Sequence, residues 1–186
     1  EALKKELAEY TEVTTLSFDV RNHQEVKKSI ASLPERWKAI DVLINNAGVA
    51  QAEDLDGMNF KGIEQQFAIN ALGPLRVTKA LLPLLHNGSK VVIITSRMGS
   101  IADNGSGGYY GYRMSKAAVN AAGVSLARDL KDRGIAVGLF HPGMVATEMT
   151  GKNGIPASEA VRGILAQVDA LDMSRSGRFT HAGTGE

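Results

Sequence analysis

The chain has 186 residues, 44% of them hydrophobic and 22% charged, which suits a single globular domain with a substantial core. The formal net charge is +1, and basic residues such as Lys4, Lys5, Lys27 and Lys28 are scattered rather than interleaved with aromatics, so the electrostatic case for a nucleic-acid partner is missing. The sequence has no cysteine, which excludes disulfides, zinc thiolate sites and thiol nucleophiles; no metal site is expected. No run approaches the ~18 apolar residues of a membrane helix, so no membrane partner is expected; a cytoplasmic location is the expectation, and the lack of cysteine is compatible with it.

In chain order, Glu1–Leu7 has the pattern of a charged amphipathic helix and lacks the apolar core of a signal peptide. Thr14–Val20 reads as a strand and Glu25–Trp37 as an amphipathic helix. Asp41–Ala47 reads as a second strand. Gly57–Leu85 is a long helical pattern joining two segments. Lys90–Ser96 is the clearest strand, because β-branched residues fill a near-continuous apolar run. Tyr112–Arg133 is helical, with Ala117, Ala118, Ala121, Ala122, Leu126 and Leu130 at helical spacing. Ala136–His141 is a strand, Ser158–Ala170 a helix, and Gly177–His181 a weak last strand. The segments Asn104–Gly108 and Thr150–Pro156 read as flexible loops. Continuous apolar strands alternating with helices predict a parallel sheet covered on both faces, an α/β fold.

Five features carry possible chemistry. Tyr112 and Lys116 stand four residues apart and share a helix face. An ammonium beside a phenol favours phenolate and lowers the tyrosine pKa from about 10, which suits a proton donor to a carbonyl oxygen. The same spacing also describes an ordinary exposed helix pair. Ser96 ends the best strand, where reacting groups of a parallel α/β sheet collect, and its hydroxyl can donate to an oxygen that gains charge; a plain turn serine is the alternative. Asn45-Asn46-Ala47-Gly48 follows a strand and lets backbone approach a ligand, or forms a simple turn. Asn70 lies within a long apolar helix beside Gly73, which suggests a kink or a bound water, with a merely tolerated polar residue as the alternative. Pro142-Gly143 ends a strand, and the loop through Val145 and Thr147 can offer backbone groups and a hydroxyl to a flat polar ligand; His141 reads as structural.

In this order and spacing, these features resemble the short-chain dehydrogenase/reductase family over roughly residues 12–182. The resemblance implies a Rossmann-type, doubly wound, mostly parallel sheet. It implies a hydride transfer between NAD(P)(H) and a small-molecule carbonyl or alcohol substrate. Tyr112 would be the general acid in reduction and the base in oxidation. Lys116 would hold the nicotinamide ribose and lower the Tyr112 pKa, and Ser96 would polarise the carbonyl. Asn70 would hold a relay water. Asp19 and Val20 would lie beside the adenine, Asn46, Ala47 and Gly48 beside the adenosine ribose, and Pro142, Gly143, Val145 and Thr147 on the nicotinamide side. The stretch Tyr112–Asn120 looks like the small carbonyl reductases related to bacterial C-factor and insect sniffer proteins, and Gly177-Arg178-Phe179 fits that subgroup. NADP is favoured over NAD on this resemblance alone. A homodimer or homotetramer through the two long helical patterns is implied as well.

One departure matters. The family's opening strand, glycine-rich turn, helix and second strand have no counterpart among the 186 residues. That turn and the helix behind it bind the pyrophosphate. The single domain of residues 1–186 is therefore expected to be N-terminally incomplete. Thr14–Val20 would lose its sheet neighbour and Asp41–Ala47 would present a raw edge. Two readings stay open: an incomplete record of a working enzyme, or a truncated protein with impaired cofactor binding. A non-catalytic nucleotide-binding or signalling partner is the alternative to an enzyme. An epimerase or dehydratase of the extended family shares the Tyr/Lys pair, but Asn-Asn-Ala-Gly argues against it.

Overall fold

A computed structural model describes residue 7 and residues 12–37 and 39–186. The amphipathic pattern of Glu1–Leu7 lies outside the described residues except for Leu7. In chain order the elements are α1 (His23–Ala31), β1 (Ile40–Asn45), α2 (Phe60–Asn70), α3 (Leu72–Leu81), β2 (Leu85–Ile94), α4 (Tyr110–Asp129), β3 (Ala136–His141), α5 (Ala157–Ala170) and β4 (Phe179–His181). The four strands form one parallel sheet in the order β1-β2-β3-β4.

The sheet is apolar on both faces because helices cover both. Val91 and Val137 pack with Val26 of α1, Leu81 of α3 and Ala127 of α4. Ile93 and Leu139 meet Val119 of α4 on that same side. The alternating residues Val92, Ala136 and Phe140 point the other way, onto Val168 of α5 and Leu171. Every residue of β3 is buried. This is the doubly wound arrangement the sequence pattern predicts.

Three elements differ from the sequence reading. Thr14–Val20 is not a strand: among the described residues no strand stands beside it. Side chains take its polar groups instead, with Trp37 Nε1 donating to Thr14 Oγ1 (3.0 Å) and Ser29 Oγ to the Ser17 carbonyl (3.2 Å). The long pattern Gly57–Leu85 is two α-helices and a 3₁₀ turn at Leu82–Leu84, broken at Ala71. The reason is Pro74, whose ring clashes with a helical carbonyl four residues back but sits easily in the first turn of α3. Pro34 likewise limits the predicted helix Glu25–Trp37 to α1. Among the described residues β1 ends the strand order, which is the expected edge, and its Val42 and Ile44 are 40% and 41% exposed on one face.

Leu139 is fully buried between β3 and α4. Leu139→Ala is expected to lose about 2–5 kcal/mol of stability, read from the urea midpoint. A loss below about 0.5 kcal/mol would show that this layer is not the packed core described.

Candidate active site

All strands run parallel, so their carboxyl ends share one edge, and each delivers a loop there. β1 hands over to Asn46–Gly48, β2 to Ser96, and β3 to Pro142–Gly143. Tyr112 and Lys116 reach the same edge from the first two turns of α4.

The Ser96 hydroxyl acts on the Tyr112 phenol as a hydrogen-bonding influence that lowers its pKa. Ser96 also accepts from Met98 N (3.2 Å), which starts a 3₁₀ turn over Arg97–Gly99. That turn presses on α4 at Gly99, where a Cβ would stand 2.7 Å from the Lys116 carbonyl carbon and 2.9 Å from Ala117 N. Only glycine allows this approach, and it brings the serine to the tyrosine. The Lys116 side chain is 5% exposed. Its Nζ donates to the Ile94 carbonyl (2.9 Å) and lies 5.7 Å from the centre of the Tyr112 ring.

Burial dominates the electrostatics. It lowers the Lys116 amine from the usual 10.5 to about 8. It pushes the Tyr112 phenol above its ordinary value, while the Ser96 hydroxyl works in the opposite direction. The lowering of Tyr112 expected from the Tyr/Lys spacing is thus corrected: loss of solvent around the ring raises its pKa. Spacing along a helix says nothing about solvent.

Asn70 is buried, and its side chain makes three hydrogen bonds to protein groups. Its Nδ2 donates to the Val49 carbonyl (2.8 Å) and Ser115 Oγ (2.9 Å), and its Oδ1 accepts from Val49 N (2.9 Å). It joins the turn after β1 to α2 and α4. Gly48 lies against this joint: a Cβ there would be 3.4 Å from Asn70 Oδ1 and 3.6 Å from Lys116 Nζ.

The remaining predicted residues fall into two groups. Val20, Asn46 and Ala47 line one cleft of about 230 Å³ together with Phe18, Ile44 and Ile69. Asp19 adjoins it, its carboxylate paired with Arg21 at 2.6 Å and held below its usual pKa by that hydrogen bond. Pro142, Gly143, Val145 and Thr147 form the loop after β3, outside that cleft's lining. The loop is tied to itself, with Ala146 N donating to the Ile155 carbonyl (2.9 Å) and Thr150 Oγ1 to the Val145 carbonyl (2.6 Å). The expected free Thr150–Pro156 loop is therefore a bonded one. The Thr147 N–H donates to Thr150 Oγ1 (3.1 Å).

His141 packs as a structural residue. Its ring stacks on Phe179 with centroids 4.8 Å apart and meets His181 edge-on at 4.7 Å. Burial, helped by the nearby His181 and Arg97 and opposed by Asp103, lowers its pKa to about 4. Sequence reading missed Ser115, Glu53 and Gln66. Ser115 carried a signal, lying one turn from Tyr112 on the face toward α2; the other two carried none.

The fold and this edge define an oxidoreductase of the Rossmann type. The short chain dehydrogenase model matches residues 1–156, and the chain belongs to that family. It is 41% identical over 169 residues to 1-hydroxy-2-glutathionyl-2-methyl-3-butene dehydrogenase of Rhodococcus sp., covering 88% of this chain and 75% of that protein. It is 49% identical over 144 residues to C-signal of Myxococcus xanthus, covering 75% of this chain and 87% of that protein. Among solved structures, an NADPH-bound carbonyl reductase from chicken fatty liver superposes with a TM-score of 0.90 at 28% identity, over 100% of this chain and 80% of that one. Carbonyl reductase Sniffer of Drosophila melanogaster gives 0.89 at 27% identity, over 98% and 80%. Among the described residues, no helix is long and apolar enough to cross a membrane, and no group of three or more side chains is placed to hold a metal.

Two outcomes follow. Gly99→Ala is expected to cost about 1–3 kcal/mol and to reduce turnover, because the Ser96 turn must lift from α4; unchanged thermal melting would contradict that contact. For His141, the unfolded chain takes up a proton between pH 6.5 and about 4 while the folded chain does not. Stability is therefore full above that window and declines as pH falls through it. His141→Gln should flatten that decline in urea titrations, and an equally steep decline in the variant would contradict it.

Proposed function

We infer that the chain works as a single NAD(P)-binding unit that reduces a small carbonyl compound, or oxidises the matching alcohol. The observation that carries this reading is one cluster: a half-buried phenol with a buried amine 5.7 Å from its ring, and a strand-end serine whose hydroxyl acts to lower that phenol's pKa. When bound, the nicotinamide supplies or accepts the hydride. Tyr112 gives its proton to the carbonyl oxygen in reduction and takes it back in oxidation. Ser96 holds that oxygen and stabilises the charge it gains.

Lys116 gives one N–H to the Ile94 carbonyl and keeps two for the ribose hydroxyls. Asn70 holds the turn that carries Gly48, which the family resemblance sets beside the adenosine ribose; a water relay at Asn70 is part of the same reading. The cleft at Val20, Asn46 and Ala47, with Asp19 beside it, takes the adenosine end. The residues present fit the two ends of the dinucleotide. Pro142, Gly143, Val145 and Thr147 would meet the carboxamide. NADP rather than NAD is favoured by the NADPH-bound chicken enzyme. Carbonyl reductases among the structural neighbours support the substrate class. A homodimer or homotetramer would cover Phe67, Leu72, Met114 and Val124, which are exposed on α2, α3 and α4. A cytoplasmic site of action accompanies this reading.

The likeness to C-signal favours a second reading, a nucleotide-binding signalling partner without turnover. NADPH oxidation with a carbonyl panel decides between them. Tyr112→Phe should lower turnover by about 100-fold or more while leaving nucleotide affinity within about threefold. Lys116→Ala should damage both. Nucleotide binding without turnover in the unaltered chain would favour the signalling reading, and a Tyr112→Phe variant retaining most of its activity would refute the assigned proton donor.

A further inference from the structure

Glu53 is a buried carboxylate that the proposed reaction does not use. It is 6% exposed, and its partner Gln66 is fully buried. A carboxylate so placed is costly unless both oxygens find donors. One oxygen accepts from Gln66 Nε2 and the other from the Gly111 N–H (3.3 Å). Its backbone carbonyl accepts from Tyr109 N (2.8 Å), and Gln66 Oε1 accepts from Gln51 N (2.9 Å). Four segments meet there: the loop after β1, helix α2, Tyr109 and the first turn of α4.

The first turn of α4 needs this help. Its leading residue Tyr109 has φ +52 and gives no side-chain cap. Glu53 supplies the missing acceptor from 58 residues away, and its negative charge suits a helix N-terminus. The space is closed to any side chain at position 111: a Cβ on Gly111 would run into Gln66 Nε2 and lie 2.9 Å from the Glu53 carboxylate. Gln66 sits one turn before Asn70 on α2. Helices α2 and α4 are therefore latched twice, through Asn70–Ser115 and through Gln66–Glu53–Gly111. Tyr112 lies between the latches.

We propose that Glu53 is a positioning residue for Tyr112: with Gln66 it fixes the height and rotation of the first turn of α4, and so sets where the phenol points. It touches no reacting atom. The inference rests on the reading of Tyr112 as the proton donor.

The test compares Glu53→Ala, Glu53→Gln and the exchanged pair Glu53→Gln/Gln66→Glu in the whole chain, at saturating NADPH, scoring kcat, carbonyl KM and Tm. Glu53→Ala should lower kcat per folded molecule by about 10–100-fold with KM little changed, as a misplaced reacting group does. Glu53→Gln faces one amide N–H with another donor in either orientation and should also be impaired. The exchanged pair rebuilds every bond. The amide now at position 53 accepts from the Gly111 N–H and donates to the carboxylate now at position 66, which still accepts from Gln51 N. The pair should restore both Tm and kcat to within about threefold of the unaltered chain. If Glu53→Ala fails to fold, the Glu53→Gln variant and the exchanged pair decide. A merely structural role predicts lower Tm with kcat per folded molecule unchanged, and that result overturns the proposal. Recovery of Tm without kcat in the exchanged pair overturns it too. Absence of turnover in the unaltered chain overturns the underlying reading as well, and is distinguished by that control.

Discussion

The buried ammonium of Lys116 is the constraint around which this edge of the protein is arranged. Taking a charged amine out of water is unfavourable, and one hydrogen bond to the Ile94 carbonyl at the end of β2 offsets only part of it. The residue is held there by its neighbours: Gly99 brings a turn against its backbone, and Gly48 leaves open the space beside its nitrogen. The cost shows as a pKa of about 8 in place of 10.5. The unfolded chain keeps the proton across that interval, so the penalty applies at lower pH and fades as pH rises through it. Such a group is poorly placed for stability and well placed for chemistry.

The fold explains how these side chains reach one place. Parallel strands send all their carboxyl ends to one side, so residues as distant in sequence as Gly48, Ser96 and Pro142 arrive together. Helix α4 then adds Tyr112 and Lys116 from adjacent turns, and α2 braces it through Asn70. The site is built on strand ends and helix starts, which are stiffer than free loops.

Legibility in the sequence follows the range of the interactions. β3 is readable to the residue, because Ala136–Phe140 is a continuous run without a polar side chain, and the strand through His141 is buried on both faces. Tyr112 and Lys116 are readable because helical spacing alone puts them on one face. The helix break at Ala71 is half readable: Asn70 and Gly73 suggest a kink, whereas Pro74 supplies its cause. Thr14–Val20 has the composition of a strand, yet a strand exists only beside a hydrogen-bonded neighbour. Glu53 is illegible, since its partners lie 13 and 58 residues away and a glutamate in a loop is ordinarily solvated. The direction of the Tyr112 shift is also illegible, because it is set by tertiary burial.

The buried amine can be observed without any assay of turnover. Selective labelling of the lysines and an NMR titration of the Lys116 nitrogen, assigned by comparison with Lys116→Arg, read its proton directly. A midpoint near 8 is the predicted result. A midpoint near the ordinary 10.5 would mean that the amine is solvated, and the arrangement of Ser96, Tyr112 and Gly48 around it would have to be abandoned.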